Sequence, residues 1–450
     1  MSMRKRELFQ DRSLSKFLPA LLLVAEACAQ TAVPPPGLTL AQAVDQALKN
    51  NLQAKLAQER TIESRAQQGI GLSALLPNIG GAAYQMNLTA NLAAEGLSGS
   101  TFPGIPAFIG PYNCFDARIR MVQSLFNLAS IRRYQASRYG VQLAEKQRRL
   151  AEQQVTAAVS LAYIGVLETG QSVAAAEANV QLARSLLDLA VNQRNAGIAT
   201  GLDVARAETR LASQEVRLAQ AKTNLDTVRL DLLRTIGAPL GAELSPADTM
   251  RFDPQPLPAP GDAIRQALDE RLDLRVASEQ LRIAETERKA ALGGYAPTVA
   301  AFGDYGGNGL KPNQTDLPTR SIGVRIDVPI FNGGRTRSEV EAATSQVRQA
   351  EMQLSDLKAA VEKDVRQALD NLATREDQMR AAQKNLDLAQ RELSLARDRF
   401  CNGVADNIEV TTAQTELENA RQIVVSSLAQ FNIARLNLYS ALGRAGDFTF

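Results

Sequence analysis

The chain has 450 residues, 45% of them hydrophobic and 22% charged, and its 50 basic and 48 acidic residues give a net charge of +2. This composition is typical of a folded protein, but aromatic residues make up only 5% and Trp is absent, so long slim helices are favoured over a bulky core. The absence of His removes the commonest general base and a favoured metal ligand, and the three widely spaced Cys indicate no zinc site. We therefore expect no enzyme activity, cofactor or metal, and the near-neutral charge argues against nucleic-acid binding.

Residues 1–29 have the pattern of an export signal peptide. A basic start precedes the apolar run FLPALLLVA, and ACAQ offers a small-residue cleavage site before Gln30. The run is too short to span a bilayer, so an exported chain of this kind would enter a membrane as β-strands. Cys28 is a candidate for lipidation, although Glu26 fits the usual motif poorly. The alternative is cleavage after Ala29, which discards Cys28.

The rest of the chain contains an internal sequence repeat, with a first structural repeat over residues 30–237 and a second over residues 262–450. AVDQALKNNL in the first copy resembles AIRQALDERL in the second, and NAGIATGLDV corresponds to CNGVADNIEV. The proline-rich segment 238–261 is predicted to be a linker between the copies. Such internal similarity predicts two units with the same order of elements.

Each copy is predicted to contain a helix, two strands, a very long helix and a shorter final helix. In the first copy the strands lie near 78–92 and 115–126, the long helix at 127–195 and the final helix at 203–237. In the second copy the strands lie near 298–306 and 320–331, the long helix at 332–400 and the final helix at 409–443.

The strand segments alternate apolar and polar residues. In AYQMNLTANL the residues Tyr84, Met86 and Leu88 share one face, and in SIGVRIDVPI so do Ile322 and Val324. Strands of about ten residues with one apolar and one polar face are typical of a membrane barrel with a wet lumen, in which these apolar residues would contact lipid. The same alternation fits a half-exposed strand of a soluble sheet, so the pattern leaves both open.

The helical segments carry coiled-coil seams. After the first helix break, Val204, Ala207, Leu211, Gln214 and Leu218 recur every three or four residues, which predicts left-handed packing against a neighbouring helix. At ~1.5 Å per residue, the long helix would measure about 100 Å and the shorter ones about 55 Å each. Two shorter helices stacked end to end therefore match one long helix, and the chain supplies four such columns.

The number of strands has a consequence for assembly. Even the smallest single-chain membrane barrels use about eight strands, so four per chain are too few and several chains must share a barrel. Three chains would supply twelve strands that continue into twelve helical columns.

Three segments resemble the TolC-type outer-membrane efflux protein family. They are VPIFNGGRTRSEVEAA at a strand-to-helix junction, and QRNAGIATGLDV and RFCNGVADNIEV at the two helix breaks. The resemblance extends over nearly the whole mature chain. It implies a mainly α fold with a small β part: a homotrimer in which a 12-stranded outer-membrane β-barrel is continuous with a long antiparallel coiled-coil α-barrel.

The resemblance also implies a function and partners. The trimer would be the exit duct of a tripartite efflux or type I secretion system, contacting outer-membrane lipid, a periplasmic adaptor and an inner-membrane pump. Export would be passive, and the duct would be gated at the periplasmic helix tips.

The two helix breaks are predicted to be turns at those tips. Gly197 and Gly403 would relieve backbone strain, and Asp203 and Glu409 would favour the start of the next helix. Simple helix termination explains the glycines equally well. The resemblance makes these turns the contact for the adaptor, although Gln193 stands where the second copy has an arginine. The residues implied are Arg194, Gly197, Asp203, Arg399, Gly403 and Glu409.

Glu409 has two interpretations. It matches an acidic position that narrows the entrance in some members of the family, which predicts a cation-selective gate, weakened here because Thr412 replaces a second acid. Equally, it is a helix N-terminal charge worth roughly a few tenths of a kcal/mol.

The alternative function is an exported periplasmic coiled-coil scaffold or adaptor protein. It explains the signal and the seams but not the amphipathic strands. Catalysis is the least favoured, because acid pairs such as Asp226 and Asp231 fall on helix faces where solvation explains them.

Overall fold

The computed structural model describes residues 37–94, 96–97, 103–197, 199–402, 404 and 407–450. The predicted signal peptide 1–29, with the lipidation candidate Cys28, lies outside the described residues, and so does Gly403. The described chain is mainly helical with one small sheet, which confirms that part of the expected fold class.

The elements follow one another in the same order in the two halves of the chain. The first half contains α1 (Leu40–Asn50), α2 (Leu52–Ser73), β1 (Asn78–Asn91), β2 (Phe108–Phe126), α3 (Leu128–Asn195) and α4 (Gly201–Ile236). The second half contains α5 (Pro260–Glu270), α6 (Leu272–Leu292), β3 (Thr298–Gly309), β4 (Leu317–Asp327), α7 (Arg335–Cys401) and α8 (Asn407–Ala441).

Each half divides its first predicted helix into two. The division falls at Asn51 between α1 and α2, and at Arg271 between α5 and α6. Both residues are extended, with ψ of 137° and 125°. The Asn51 side chain donates a hydrogen bond to the Thr235 carbonyl at 2.7 Å, and the Arg271 guanidinium donates to Asp364 at 3.1 Å. These long-range anchors hold the breaks, and helical periodicity gave no sign of them.

The long helices pack side by side along most of their length. The 68 residues of α3 make it about 100 Å long, and it packs against α4, α2 and α6, while α7 packs against α8 and α6. The main core joins α1, α3 and α4 to the end of α8 around Val159, Tyr163 and Leu232, which are fully buried. Small side chains such as Ala43 and Ala429 let these helices approach closely.

One helix in the described part of the chain, α3, is long and apolar enough to cross a membrane by length and composition alone. Just under half of that apolar stretch is buried within the chain. Tyr163 and Ile164, at the centre of the core, are fully buried by neighbouring helices. Helix packing therefore accounts for part of the apolar character of α3.

The linker between the halves is hydrogen-bonded to the first half of the chain. Leu38 donates a backbone hydrogen bond to Ser245 at 2.8 Å and accepts one from Ala247 at 3.0 Å. Asp248 accepts hydrogen bonds from the Leu40 amide at 2.7 Å and the Tyr163 hydroxyl at 3.0 Å. This part of the linker ties the start of α1 to the middle of α3.

The four strands form one antiparallel sheet in the order β1-β2-β3-β4. The β2–β3 ladder joins the two halves of the chain. In one chain the sheet is open, and β1 and β4 are its edges.

Four strand boundaries differ from those predicted by three residues or more. β2 begins earlier, at Phe108, and β3 ends later, at Gly309, while β4 both begins and ends earlier, at Leu317 and Asp327. Pro329 has no backbone N–H to extend the ladder, and Gly333 and Gly334, with φ of 66° and 81°, turn the chain into α7.

The strand register divides the sheet into an apolar face and a polar face, because directly paired residues lie on the same side. The polar face carries Tyr84, Asp116, Arg118, Asp304 and Ser321. The apolar face carries Ile79, Ile119, Tyr305, Ile322, Val324 and Ile326, whose side chains are 59–85% exposed, together with the polar residues Gln85, Asn87, Asn113 and Arg320.

The placement of Tyr84, Met86 and Leu88 on the apolar face was wrong. Tyr84 pairs with Asp116 and Met86 with Cys114, so this row of β1 belongs to the polar face. The Tyr84 hydroxyl is a hydrogen-bond partner of the Asp116 carboxylate. Alternation within β1 separated its two faces correctly. It could not show which of them lies on the same side of the sheet as the charged residues of β2.

Candidate functional site

The first helix tip joins α3 to α4. Gly197 has a φ of 77°, and its amide donates to the Arg194 carbonyl at 3.0 Å, which closes the last turn of α3. Left-handed backbone of this kind favours Gly after a helix. Thr200 then caps α4, because its backbone amide donates to Asp203 Oδ2 at 2.8 Å while the Asp203 amide donates to the Thr200 hydroxyl at 3.3 Å. Asp203 therefore stabilises the start of α4.

The second tip joins α7 to α8 and holds an ion pair. Arg399, in the last turn of α7, and Glu409, in the first turn of α8, approach to 3.2 Å between Nε and Oε2. Both side chains are about half exposed, so the pair contributes at most ~1 kcal/mol. The structure thus brings these two predicted residues together and gives Glu409 a specific cationic neighbour. Gly403, between them in sequence, is not among the described residues.

The two tips contact each other through Gln193, which stands out in the sequence only because the second copy has an arginine at the matching position. Gln193 is buried, and its Nε2 donates to the Phe400 carbonyl at 3.3 Å. Phe400 lies in a small core with Leu186, Val410 and Leu417. Gln193 therefore joins the end of α3 to the end of α7.

A buried carboxylate lies farther along α8, away from the tip. Glu418 is 4% exposed, and its Oε2 accepts hydrogen bonds from Arg210, from Gln214 at 3.1 Å and from Arg217 at 3.3 Å. Arg210 also donates to the Thr415 hydroxyl at 3.0 Å. These contacts connect α4 to α8 across the two hairpins. This cluster was not predicted from the sequence, in which its one signal is Gln214, a polar residue within an apolar seam.

A polar cavity of about 500 Å³ lies beside this cluster, between α3, α4 and α8. Its lining includes Glu168, Asn179 and Glu418. Burial raises the pKa of the Glu168 carboxyl above its ordinary value, because the charged form is desolvated there. Arg421 donates to Asn179 at 2.6 Å, which adds a link from α8 to α3.

Charged side chains bridge the polar face of the sheet. Arg118 donates to Asp116 through Nε at 2.6 Å and to Asp304 through Nη1 at 3.1 Å. Asp304 in turn accepts from the Ser321 hydroxyl. Together with Tyr84, these contacts extend across all four strands and fix their register.

The described residues contain no group of three or more carboxylate or Cys side chains placed to hold a metal ion. Cys114 and Cys401 are both free thiols, one on the sheet and one at a helix tip.

The chain is similar in sequence and in fold to known proteins. The model of the family described as outer membrane efflux protein matches residues 43–238 and 263–444, most of the chain. The alkaline protease secretion protein AprF of Pseudomonas aeruginosa is 24% identical over 405 residues, which span 88% of this chain and 81% of AprF. The outer membrane protein TolC of Escherichia coli is 24% identical over 351 residues, spanning 74% of this chain and 70% of TolC.

Solved structures share the fold. The outer membrane channel CmeC of Campylobacter jejuni matches with a TM-score of 0.78 at 20% identity, over 90% of this chain and 86% of CmeC. The outer membrane protein VceC of Vibrio cholerae matches with a TM-score of 0.76 at 17% identity, over 90% of this chain and 96% of VceC. Because the family match covers most of the sequence, the chain belongs to the outer membrane efflux protein family.

Proposed function

We propose that the chain is one third of an outer-membrane exit duct that passes cargo from the periplasm to the outside. The observation that carries this proposal is the sheet, with its exposed apolar face and its face of paired charges. Large exposed apolar surfaces on a folded protein indicate a membrane or a partner. A sheet that is apolar outside and polar inside fits the wall of a barrel with a wet lumen.

The open sheet supports a shared barrel. Edge strands expose unpaired N–H and C=O groups, and within a bilayer these groups need partners. Pairing β4 of one copy with β1 of the next would satisfy both edges. Three copies of four strands would close a barrel of twelve, and the helices would continue as an α-barrel.

The helix tips are proposed to contact a periplasmic adaptor, which would connect the duct to an inner-membrane pump. Arg194, Gly197, Asp203, Arg399, Gly403 and Glu409 are the proposed contact residues. The described tips carry exposed apolar side chains beside these charges, including Leu202, Val404 and Ile408 at 51–70% exposure. An exposed surface that combines apolar and charged side chains is suited to a protein partner.

The pair of Arg399 and Glu409 is proposed to set ion preference at the entrance. If Arg399 neutralises Glu409 at rest, Glu409→Gln should leave an uncompensated cation and shift the reversal potential in a salt gradient towards anion preference. Arg399→Gln should shift it towards cations. Equal reversal potentials for the wild type and both variants in planar bilayers would show that the pair does not face the ion path.

The second candidate function is an exported periplasmic scaffold or adaptor protein, favoured by the coiled-coil packing of α3 with α4 and of α7 with α8. Cell fractionation distinguishes the two. The duct should be recovered with outer membranes and need detergent for extraction, whereas a scaffold should be recovered in the soluble periplasm as an elongated monomer.

A further inference from the structure

An apolar cavity of about 160 Å³ lies where the linker packs against α7 and α8. One wall is the proline-rich strap, residues 252–258, which contributes Leu257. The opposite wall is formed by Leu372 of α7 and by Phe431 and Leu438 of α8. All of these walls belong to one chain. Leu372 is about 40 Å along α7 from the helix tip, so the cavity is separate from the proposed adaptor contact.

The strap is held by side chains. Every second residue from Pro254 to Pro258 is proline, which has no backbone N–H and favours extended polyproline geometry. Among the described residues, no backbone–backbone hydrogen bond joins 252–258 to another segment. At its start, Phe252 packs edge-on against Phe431 with ring centroids 4.9 Å apart. The strap can therefore move aside for a small molecule without breaking backbone hydrogen bonds.

Arg435 places a positive charge at the rim of this cavity. Its guanidinium lies 5.9 Å from the Phe431 ring centroid and 5.7 Å from that of Phe448, and Nη1 donates to Asn432 at 3.3 Å. No carboxylate among the described residues forms an ion pair with Arg435, whereas Glu376, also at the rim, is paired with Arg380. The rim thus offers one uncompensated cation beside an aromatic wall.

We propose that this cavity binds a carboxylic acid with a single aromatic ring. An apolar cavity of about 150 Å³ is large enough to hold benzene, so one ring fits between Leu257 and the side chains of Phe431 and Leu438. The carboxylate then accepts paired hydrogen bonds from the Arg435 guanidinium, a geometry that guanidinium groups favour. The site selects for both size and charge.

The test uses the detergent-solubilised mature protein and two probes, 4-fluorobenzoate and its neutral counterpart 4-fluorobenzamide, followed by ¹⁹F NMR titration. For a ligand of this size we expect a dissociation constant on the order of 1 mM for the acid. The amide should bind at least about tenfold more weakly, because it lacks the charge-assisted hydrogen bonds.

Variants test the charged rim and the apolar wall of the site separately. Arg435→Gln should weaken acid binding about tenfold and leave amide binding unchanged, while Arg435→Lys should retain only part of the acid affinity, because an ammonium group keeps the charge but not the paired hydrogen bonds. Leu257→Phe should abolish binding of both probes by filling the cavity. Leu240→Phe is the matched control, since Leu240 is an exposed residue of the same linker that does not line this cavity.

Three results would overturn the proposal. One is equal binding of acid and amide to the wild-type protein. Another is undiminished acid binding by Leu257→Phe. The third is a titration that protein-free micelles reproduce, which would assign the signal to partition into detergent. A melting temperature for each variant confirms that a lost signal does not come from unfolding.

Discussion

At the scale of single residues, buried polar side chains decide how the two hairpins are held together. Gln193 and Glu418 are both largely buried, and both bond to partners roughly two hundred residues away in sequence. An unpaired polar group in such a position is costly, so each partner constrains the other. These residues connect the halves of the chain more specifically than the apolar seams, in which many registers would pack equally well.

Replacing Glu418 tests this role. Glu418→Gln keeps the shape but leaves Arg210 and Arg217 without their carboxylate, so we expect a loss of roughly 1–3 kcal/mol in unfolding free energy. Glu416→Gln, on an exposed position of the same helix, should change stability by less than about 0.5 kcal/mol. Chemical denaturation of the helical region, followed by circular dichroism, measures both. Equal stability of the two variants would contradict the argument.

Tyr163 gives the core a pH dependence. The side chain is fully buried, its single hydroxyl proton is shared between the Leu38 carbonyl at 2.7 Å and Asp248 Oδ2 at 3.0 Å, and burial raises the pKa of Tyr163 to about 12 from the ordinary 10.0. The folded state therefore holds this proton more tightly than the unfolded state. Its contribution to stability is complete below pH ~10 and is lost as the pH rises from about 10 to 12.

Tyr163→Phe isolates that contribution. At neutral pH the variant should be less stable than the wild type by about 1–2 kcal/mol, because two hydrogen bonds are removed. The difference should shrink as the pH rises through 10 to 12, where only the wild type loses stability. Tyr295→Phe, at an exposed position, should show a difference that stays constant with pH. A constant difference for Tyr163→Phe as well would exclude the proposed cause.

At the scale of elements, sequence periodicity predicted which segments form helices and strands, but not how these elements are positioned against one another. Seams repeating every three or four residues predicted the long helices, and their ends lie within a few residues of the expected positions. The breaks at Asn51 and Arg271 were missed because they depend on contacts with α4 and α7. Alternation predicted the strands. The side of the sheet on which each face of β1 lies depends on its register with β2, and the spacing of residues within β1 carries no information about that register.

The candidate tip residues illustrate the same limit. The capping function of Asp203 follows from its distance to Thr200, three positions earlier, so local sequence was sufficient. The contact of Gln193 with Phe400 joins two tips that are distant in sequence. Only the packed arrangement of four helices brings them together.

Spin labels test the two faces of the sheet. A label at Val324 or Ile119 should be accessible to oxygen, as in lipid, because both lie on the apolar face. A label at Tyr84 or Ser321 should be accessible to a water-soluble nickel chelate instead. Tyr84 is the informative site, since β1 alternation alone placed it in lipid. A lipid signal at Tyr84 would contradict the register of β1 with β2.

At the scale of the whole molecule, one chain is incomplete in two respects. Its sheet is open at β1 and β4, and its apolar face is uncovered. A bilayer would cover the face, and copies of the chain would cover the edges. Assembly of several copies within a membrane would meet both needs together.

Native mass spectrometry of the detergent-extracted protein tests that claim most directly. The measurement counts the chains in each particle, and detergent stands in for the bilayer around the apolar face. The account predicts a single species with three times the mass of the mature chain, in which twelve strands can close. A particle that remains a single chain in detergent, with its sheet edges unpaired, would contradict it.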